Sequence, residues 1–284
     1  MDRVDAPYDQ IEQLEPGIAR LLAANPSPYT FTGTQTYLVG TDEVVVIDPG
    51  PDLAGHVAAI VAAIGTRRLV AIACTHTHRD HSPASRSLAA ATGAPVIGCA
   101  ALDLASVGPR ADASFDGDYR PHRVLGDGEA LFVDGEPLTA VATPGHTSNH
   151  LCFAYRDALF TGDHVMGWST SVVVPPDGDM GAYMASLDKL RGRDDRIYYP
   201  AHGAAVTRPQ QLVRGMMGHR MQRERQILKL VRDGHGTVAE IVAAAYPALD
   251  PRLVPAAGGS VSAHLIDLEA RGLAHHMEDR WLTK

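Results

Sequence analysis

The densest chemistry in this 284-residue chain is the run Thr75-His76-Thr77-His78-Arg79-Asp80-His81, three imidazoles and a carboxylate within seven residues. In extended backbone, side chains two apart point the same way, so His76 and His78 can converge on one cation. A turn beyond them can send Asp80 and His81 to a second. Imidazole nitrogen and carboxylate oxygen suit zinc, which takes three or more protein ligands per ion. One heptapeptide cannot complete two such shells, so more ligands must come from elsewhere. Three candidates have similar surroundings: Gly145-His146-Thr147, Gly162-Asp163-His164 and Ala201-His202-Gly203. Each has glycine beside the ligand, where backbone can bend sharply and approach an ion closely. A lone histidine at a strand end is ordinarily a hydrogen-bonded structural residue. The heptapeptide followed by three ordered partners lifts this set above chance in a chain with 14 histidines.

Such ligands need rigid elements behind them. Runs 36–39 and 44–48 are β-branched and separated by Gly40-Thr41-Asp42, a hairpin signal, and Asp48-Pro49-Gly50-Pro51 stops the second. Residues 56–64 have helical apolar spacing. Residues 69–75 form a continuous apolar run that reads as a buried strand ending where the histidines begin. A helix is expected over 83–92, with proline near its start and Gly93 at its stop. Strands follow at 96–98, 131–133, 137–142, 150–155, 158–161 and 197–200, and the stretch 178–190 closes with a helix that has Tyr183, Leu187 and Leu190 on one stripe. The stretch up to Pro28 reads as turn-rich and irregular, and 103–122 as loop with one helical turn. Strand–helix alternation followed by strands implies sheets covered by helices, with site residues on the loops at strand ends.

After Pro209 the pattern changes. A long charged helix is expected to Arg232, a helix capped by Thr237 over 238–246, another over 260–271, then short strands at 273–276 and 281–283 around Glu278-Asp279. Helix, helix, hairpin is a winged-helix pattern. The expected division is therefore 1–208 for the catalytic domain and 209–284 for the winged-helix domain.

Composition narrows the function classes. Apolar residues make up 45% and charged residues 20%, with a net charge of −8. Residues 1–214 hold 16 Lys/Arg against 25 Asp/Glu, and residues 215–284 hold 9 against 8. Neither part has the basic footprint of a nucleic-acid binder. Cys74, Cys99 and Cys152 lie in or beside apolar runs without a C-x-x-C pair, as expected for buried reduced thiols in a cytoplasmic protein. Residues 1–5 have no apolar signal region, and no apolar run is long enough to span a membrane.

His76, His78, Asp80 and His81 match H-x-H-x-D-H, and with His146, Asp163 and His202 in order the chain resembles the metallo-β-lactamase superfamily over roughly 30–205. Asp48 in Val46-Ile47-Asp48-Pro49-Gly50 matches that family's first motif, whose aspartate braces the metal loop from beneath. The resemblance implies an α/β fold, the αββα sandwich. It also implies two zinc ions, with iron and manganese as alternatives. One metal would lie on His76, His78 and His146, the other on Asp80, His81 and His202, with Asp163 bridging both.

Departures narrow the branch. Ser82-Pro83-Ala84 stands where many members have two glycines. The bridging Asp163 argues against true β-lactamases, His78 against flavodiiron proteins, and Val165-Met166-Gly167 against lactonases with a tyrosine there. Gly218-His219-Arg220 and Gln222-Arg223-Glu224-Arg225-Gln226-Ile227-Leu228, followed by a winged helix, resemble a β-lactamase-like hydrolase subgroup. One known member type is a mitochondrial endoribonuclease. Interdomain packing is the plainer reading of His219-Arg220.

The mechanism implied is hydrolysis by a metal-bridging hydroxide, with Asp80 orienting it and shuttling a proton. His164, Trp168, Ser169 and Thr170 are candidate lining residues of the substrate pocket. The favoured substrate is a small molecule carrying an ester, thioester or lactone. The alternative is endoribonuclease action on single-stranded RNA, for which Arg220, Arg223, Arg225, Lys229 and Arg232 supply a basic helix. Nucleic-acid binding through the winged helix and a β-lactam side activity rank lower. A homo-oligomer is compatible with the sequence.

Overall fold

The computed structural model describes residues 7–102 and 115–283. The expectation at residues 1–5 and most of the loop expected at 103–122 lie outside the described residues. Contacts divide the chain into two compact units. The first holds the described residues up to Thr143, with Asn149–Ser169 and Asp194–Pro209. The second holds Pro144–Ser148, Thr170–Arg193 and the described residues from Gln210 onward.

The first unit contains two sheets. One has seven strands in sequence order: β1 (Glu12–Glu15), β2 (Ile18–Leu22), β3 (Gln35–Val39), β4 (Glu43–Ile47), β5 (Arg68–Cys74), β6 (Val96–Gly98) and β7 (Arg123–Val124). It is antiparallel up to β4 and parallel from β4 to β7. The crossovers carry α1 (Ala54–Ile64) and α2 (Ala84–Thr92). The other sheet runs β12 (Ile197–Pro200), β11 (Ala158–Gly162), β10 (Leu151–Tyr155), β9 (Glu136–Ala142) and β8 (Ala130–Val133), with β11 and β12 parallel. Leu38, Val46 and Ile72 from the first sheet share one core with Leu138, Phe153 and Phe160 from the second, and Ile60 and Leu88 join from the helices. The central strands β4 and β5 read as unbroken apolar runs because both faces are covered.

The second unit contains α3 (Met180–Arg191), α4 (Pro209–Arg232), α5 (Val238–Ala245), α6 (Val254–Ala270) and the hairpin β13 (Ala274–Met277) and β14 (Arg280–Thr283). Ile227, Ile241, Val261, Leu265, Leu268 and Trp281 form its core. Thr237 caps α5 in a reciprocal box with Glu240, satisfying two backbone donors at the helix start.

Two expectations differ from the structure. The stretch before Pro28 includes β1 and β2, joined at Gly17, which adopts φ 80°. Its prolines suggest irregular chain, but pairing of β2 with β3 supplies the hydrogen bonds that make it strand. Helix α6 begins six residues before the expected start at 260, because Pro255 sits in its first turn, where no amide donor is needed. Gly259 serves close packing there, since a Cβ would come within 2.7 Å of Val174 Cγ2.

Candidate metal centre

The parallel strands β4 and β5 end side by side, so the turns after them share one edge. Asp48, immediately after β4, adopts φ 49°, a left-handed conformation that aspartate tolerates better than most residues. Its buried carboxylate organises the heptapeptide. Oδ1 accepts the Thr75 amide at 2.8 Å, and Oδ2 accepts the Thr75 hydroxyl at 2.7 Å and His81 Nδ1 at 2.9 Å. The Thr75 hydroxyl proton is thus committed to Asp48, so the 3.0 Å contact between Thr75 Oγ1 and His76 Nδ1 requires the imidazole to donate. That leaves Nε2 as the ligand atom of His76, and likewise of His81.

The loop itself is strapped by the segment at 115–116. His78 forms a bridge with Phe115, and the Asp116 amide donates to Thr77 O at 2.7 Å. Ser82 donates to Asp116 Oδ2 at 2.9 Å and Arg86 pairs with the same carboxylate. The Ser82-Pro83-Ala84 departure therefore exchanges glycine flexibility for a side-chain anchor.

Two groups of candidate ligands emerge. His76, His78, His146 and Asp163 form one, and Asp80, His81 and His202 the other, each offering ligand atoms within 4.8 Å of one another. His76 Nε2 and His78 Nδ1 lie 2.9 Å apart. Two nitrogens on one tetrahedral zinc would lie about 3.3 Å apart, so these rings need only a small adjustment to share an ion. His81 Nε2 is buried without a hydrogen-bond partner and faces Asp80 Oδ2 at 3.3 Å and Asp163 Oδ1 at 3.6 Å. His202 Nε2 lies 3.2 Å from Asp80 Oδ2 and 3.3 Å from Asp163 Oδ1, and its Nδ1 meets Gly33 O at 3.1 Å. Nitrogens and anionic oxygens converging in this way fit a pair of divalent cations. Asp163 belongs to one group and closely approaches the histidines of the other.

The electrostatics agree. Burial opposes charge on both carboxylates, yet His81 and His202 hold Asp80 and Asp163 well below the usual carboxylate range. Burial pulls the imidazoles down, but the acids outweigh it. His202 is pushed up to about 10 and His81 well above its ordinary value.

The partner ligands sit where strands end. Asp163 follows β11, and its amide donates to His150 Nε2 at 3.2 Å. His150 Nδ1 meets Thr143 Oγ1 at 2.9 Å. Gly162 at φ 48° has no room for a side chain, since a Cβ would lie 2.7 Å from His150 Nε2. His202 follows β12. His146 lies in the turn Pro144–Ser148 of the second unit, with Nδ1 2.5 Å from Val172 O. Of the candidate pocket residues, His164 is fully buried, with its ring 5.8 Å from that of His150. Trp168 stacks on Phe31 at 5.0 Å and packs over Gly203. Ser169 and Thr170 are half-buried.

Sequence reasoning missed some supports. Thr34 approaches Asp80 Oδ2 at 3.4 Å, and Thr36 donates to Asp48 O at 2.7 Å. His56, without a functional reading from sequence, is buried between Thr36 and Asp9. A threonine in a β-branched run looks like ordinary strand, so no local signal separates these from their neighbours.

Residues 29–202 match the family model of the metallo-beta-lactamase superfamily, and 237–281 match the beta-lactamase associated winged helix domain. An atrochrysone carboxyl ACP thioesterase of a Cryptosporiopsis species is 33% identical over 234 residues, covering 78% of this chain and 65% of that protein. A beta-lactamase-like protein 2 homolog of Caenorhabditis elegans is 33% identical over 233 residues, covering 79% of this chain and 74% of that one. A metallo-beta-lactamase family protein from Thermus thermophilus superposes with a TM-score of 0.79 at 23% identity, covering 96% of this chain and all of that one. The chain belongs to the metallo-β-lactamase superfamily of hydrolases and carries its associated C-terminal winged-helix domain.

Proposed function

We propose that this chain is a binuclear zinc hydrolase acting on thioesters. The observation that carries the reading is Asp163, grouped with His76, His78 and His146 yet within 3.6 Å of the ligand nitrogens of His81 and His202. A carboxylate so placed can join two ions. His76, His78 and His146 would hold one, Asp80, His81 and His202 the other. Bound there, the metal pair would supply Lewis acidity and a water acidified toward neutrality.

The chain's own groups account for the remaining steps. Asp80 is held ionised between His81 and His202, so its carboxylate can take the proton that water loses as the C–O bond forms. Cleavage of the C–S bond releases a thiolate. With an ordinary thiol pKa of about 8.5, it needs only that proton and no strong general acid. The products are a carboxylic acid and a thiol. Asp48 and Gly33 O keep the rings of His81 and His202 oriented throughout.

The thioester preference rests on relatives named as acyl-carrier-protein thioesterases, the first of which this chain spans for 65% of its length. An RNA substrate is less favoured. Arg220 is buried, Arg223 lies over the Tyr246 ring, and Lys229 pairs with Asp233, so part of the basic face of α4 is already engaged. No helix among the described residues is long and apolar enough to cross a membrane. The three cysteines are buried free thiols, which suits a reducing compartment such as the cytoplasm.

The test is metal analysis of purified protein followed by assay on acyl-pantetheine thioesters, lactones, β-lactams and single-stranded RNA. Thioester cleavage that chelation abolishes and zinc restores is expected. A protein with two bound zinc ions that cleaves RNA but no thioester would overturn the substrate assignment.

A further inference from the structure

Arg220, in the middle of α4, is only 4% exposed, and among the described residues no carboxylate pairs with it. A buried guanidinium without a counter-ion is costly, and its other contacts must compensate. Nη2 donates to Ser171 O, Nη1 lies 3.3 Å from Ser260 Oγ on α6, and the guanidinium carbon stands 5.2 Å from the centre of the Tyr183 ring. Nε is buried without an acceptor. The partners named here are neutral, so dipoles and a ring hold the cation where a counter-ion would ordinarily be expected.

Both main contacts lead to the same turn. Next to Ser171, the Val172 carbonyl takes His146 Nδ1 at 2.5 Å. That bond requires the proton on Nδ1 and leaves Nε2 as the ligand atom. Tyr183 lies against Gly145, the residue before His146: a Cβ on Gly145, at φ +138°, would be 2.3 Å from Tyr183 Cα. The same turn is tied down where the Asp179 amide donates to Gly145 O at 2.9 Å and Ser186 to Pro144 O at 2.8 Å. Arg220 therefore touches two residues that border the His146 turn: Ser171, next to Val172, and Tyr183, whose ring faces the guanidinium while its backbone and Cβ lie against Gly145.

We propose that Arg220 is a positioning residue for the metal ligand His146: the tail helix α4 holds the Val172 carbonyl in place, and that carbonyl sets the tautomer and orientation of the imidazole. The inference rests on the reading of His146 as a ligand. It gives the C-terminal part a role in the chemistry beyond packing. Lysine can reach Ser171 O but cannot fork to Ser260 and cover Tyr183 in one plane.

The experiment compares wild type, Arg220→Met and Arg220→Lys as full-length proteins, all checked for folding by circular dichroism. Zinc binding is followed by chelator competition, and the cobalt-substituted forms by visible absorption. Wild type should bind two ions per chain. In Arg220→Met one of the two should weaken by roughly 10–100-fold, as for other groups that orient a ligand, while the other keeps its affinity and the cobalt spectrum changes. kcat for thioester cleavage should fall more than KM changes. Arg220→Lys should recover part of the affinity, and it provides the comparison if Arg220→Met does not fold. Two wild-type affinities in a folded Arg220→Met, or equal weakening of both ions, overturn the inference while leaving the proposed function intact. Absence of metal binding by wild type would overturn both.

Discussion

Asp48 Oδ2 stands 2.9 Å from His81 Nδ1, and the same oxygen accepts the Thr75 hydroxyl that receives His76 Nδ1. One buried carboxylate thus orients a candidate ligand in each metal group. Asp48→Asn keeps the Oδ1 acceptor for the Thr75 amide and tolerates the left-handed backbone, but places an amide NH2 where two donors need an acceptor. The expected outcome is a folded protein whose zinc affinity is lower by roughly 10–100-fold. Chelator competition beside a circular dichroism control measures this. An unaltered affinity would remove Asp48 from the orienting role.

Asp80→Ala and His146→Ala each remove one candidate ligand from a different group. Hydrolysis should fall by roughly three orders of magnitude or more in either variant, because loss of a ligand disables the shared activation of water. The fold should survive, since neither side chain belongs to the apolar cores. Steady-state kinetics with metal-content analysis decide this, and full activity in a metal-depleted variant would refute the site.

Metal loading should release protons. In the metal-free protein His202 is raised from 6.5 to about 10, and His81 is also raised, burial being outweighed by Asp80 and Asp163. His202 therefore carries an extra proton at pH 7 that a cation must displace, and His81 is shifted in the same direction. Affinity should weaken as pH falls, and loading at pH 7 should release protons, His202 contributing close to one. For the metal-free fold the signs follow linkage. The raised imidazoles stabilise fully below 6.5, and the His202 contribution is lost as pH climbs through about 10. The depressed carboxylates stabilise above their ordinary range and lose that contribution on acidification. Calorimetric titration with zinc in buffers of different ionisation enthalpy counts the protons, and none released at pH 7 would contradict the arrangement.

His264 on α6 predicts an acid sensitivity of the C-terminal core. Burial, reinforced by Arg220, Arg223, His219 and Arg271, pushes it down to about 3, and neither ring nitrogen has a partner. The unfolded chain binds its proton near 6.5, so stability is complete above that pH and drains away as pH falls toward 3. By pH 4 the loss amounts to roughly 3 kcal/mol at most. His264→Leu should flatten this dependence, seen as urea midpoints that change less between pH 7 and pH 4.5 than in wild type.

Gly145→Ala should be damaging because both the backbone and the space refuse it: φ is +138° and the added Cβ would meet Tyr183 Cα at 2.3 Å. A cost of about 2–4 kcal/mol is expected, the range for forced backbone strain with overpacking. Thermal unfolding should report a lower midpoint, and thioester cleavage should fall with the displaced His146. An unchanged midpoint would show that the turn has more freedom than its packing implies.

The sequence by itself determined the ligand inventory and the strands that carry it. The heptapeptide is local, so its meaning survives without coordinates, and the strand before it reads as buried because apolar residues run unbroken from Leu69 to Cys74. The long α4, the capped α5 and the hairpin around Glu278-Asp279 were legible for the same reason: caps, turns and periodicity act over a few residues. Tertiary structure alone decided what depends on distant partners. β1 and β2 become strands through pairing with the sheet, and Gly259 within α6 lies where Val174 leaves no room for a side chain. Thr75 acquires its role from the Asp48 carboxylate, Thr36 from the Asp48 main-chain carbonyl, and His56 from Thr36 and Asp9, partners that only folding brings alongside. Arg220 looks like one more charge on a solvated helix until its burial against Ser171 and Tyr183 is seen. Residue type fixes which bonds a side chain can make, but its neighbours are set by the meeting of elements far apart in sequence.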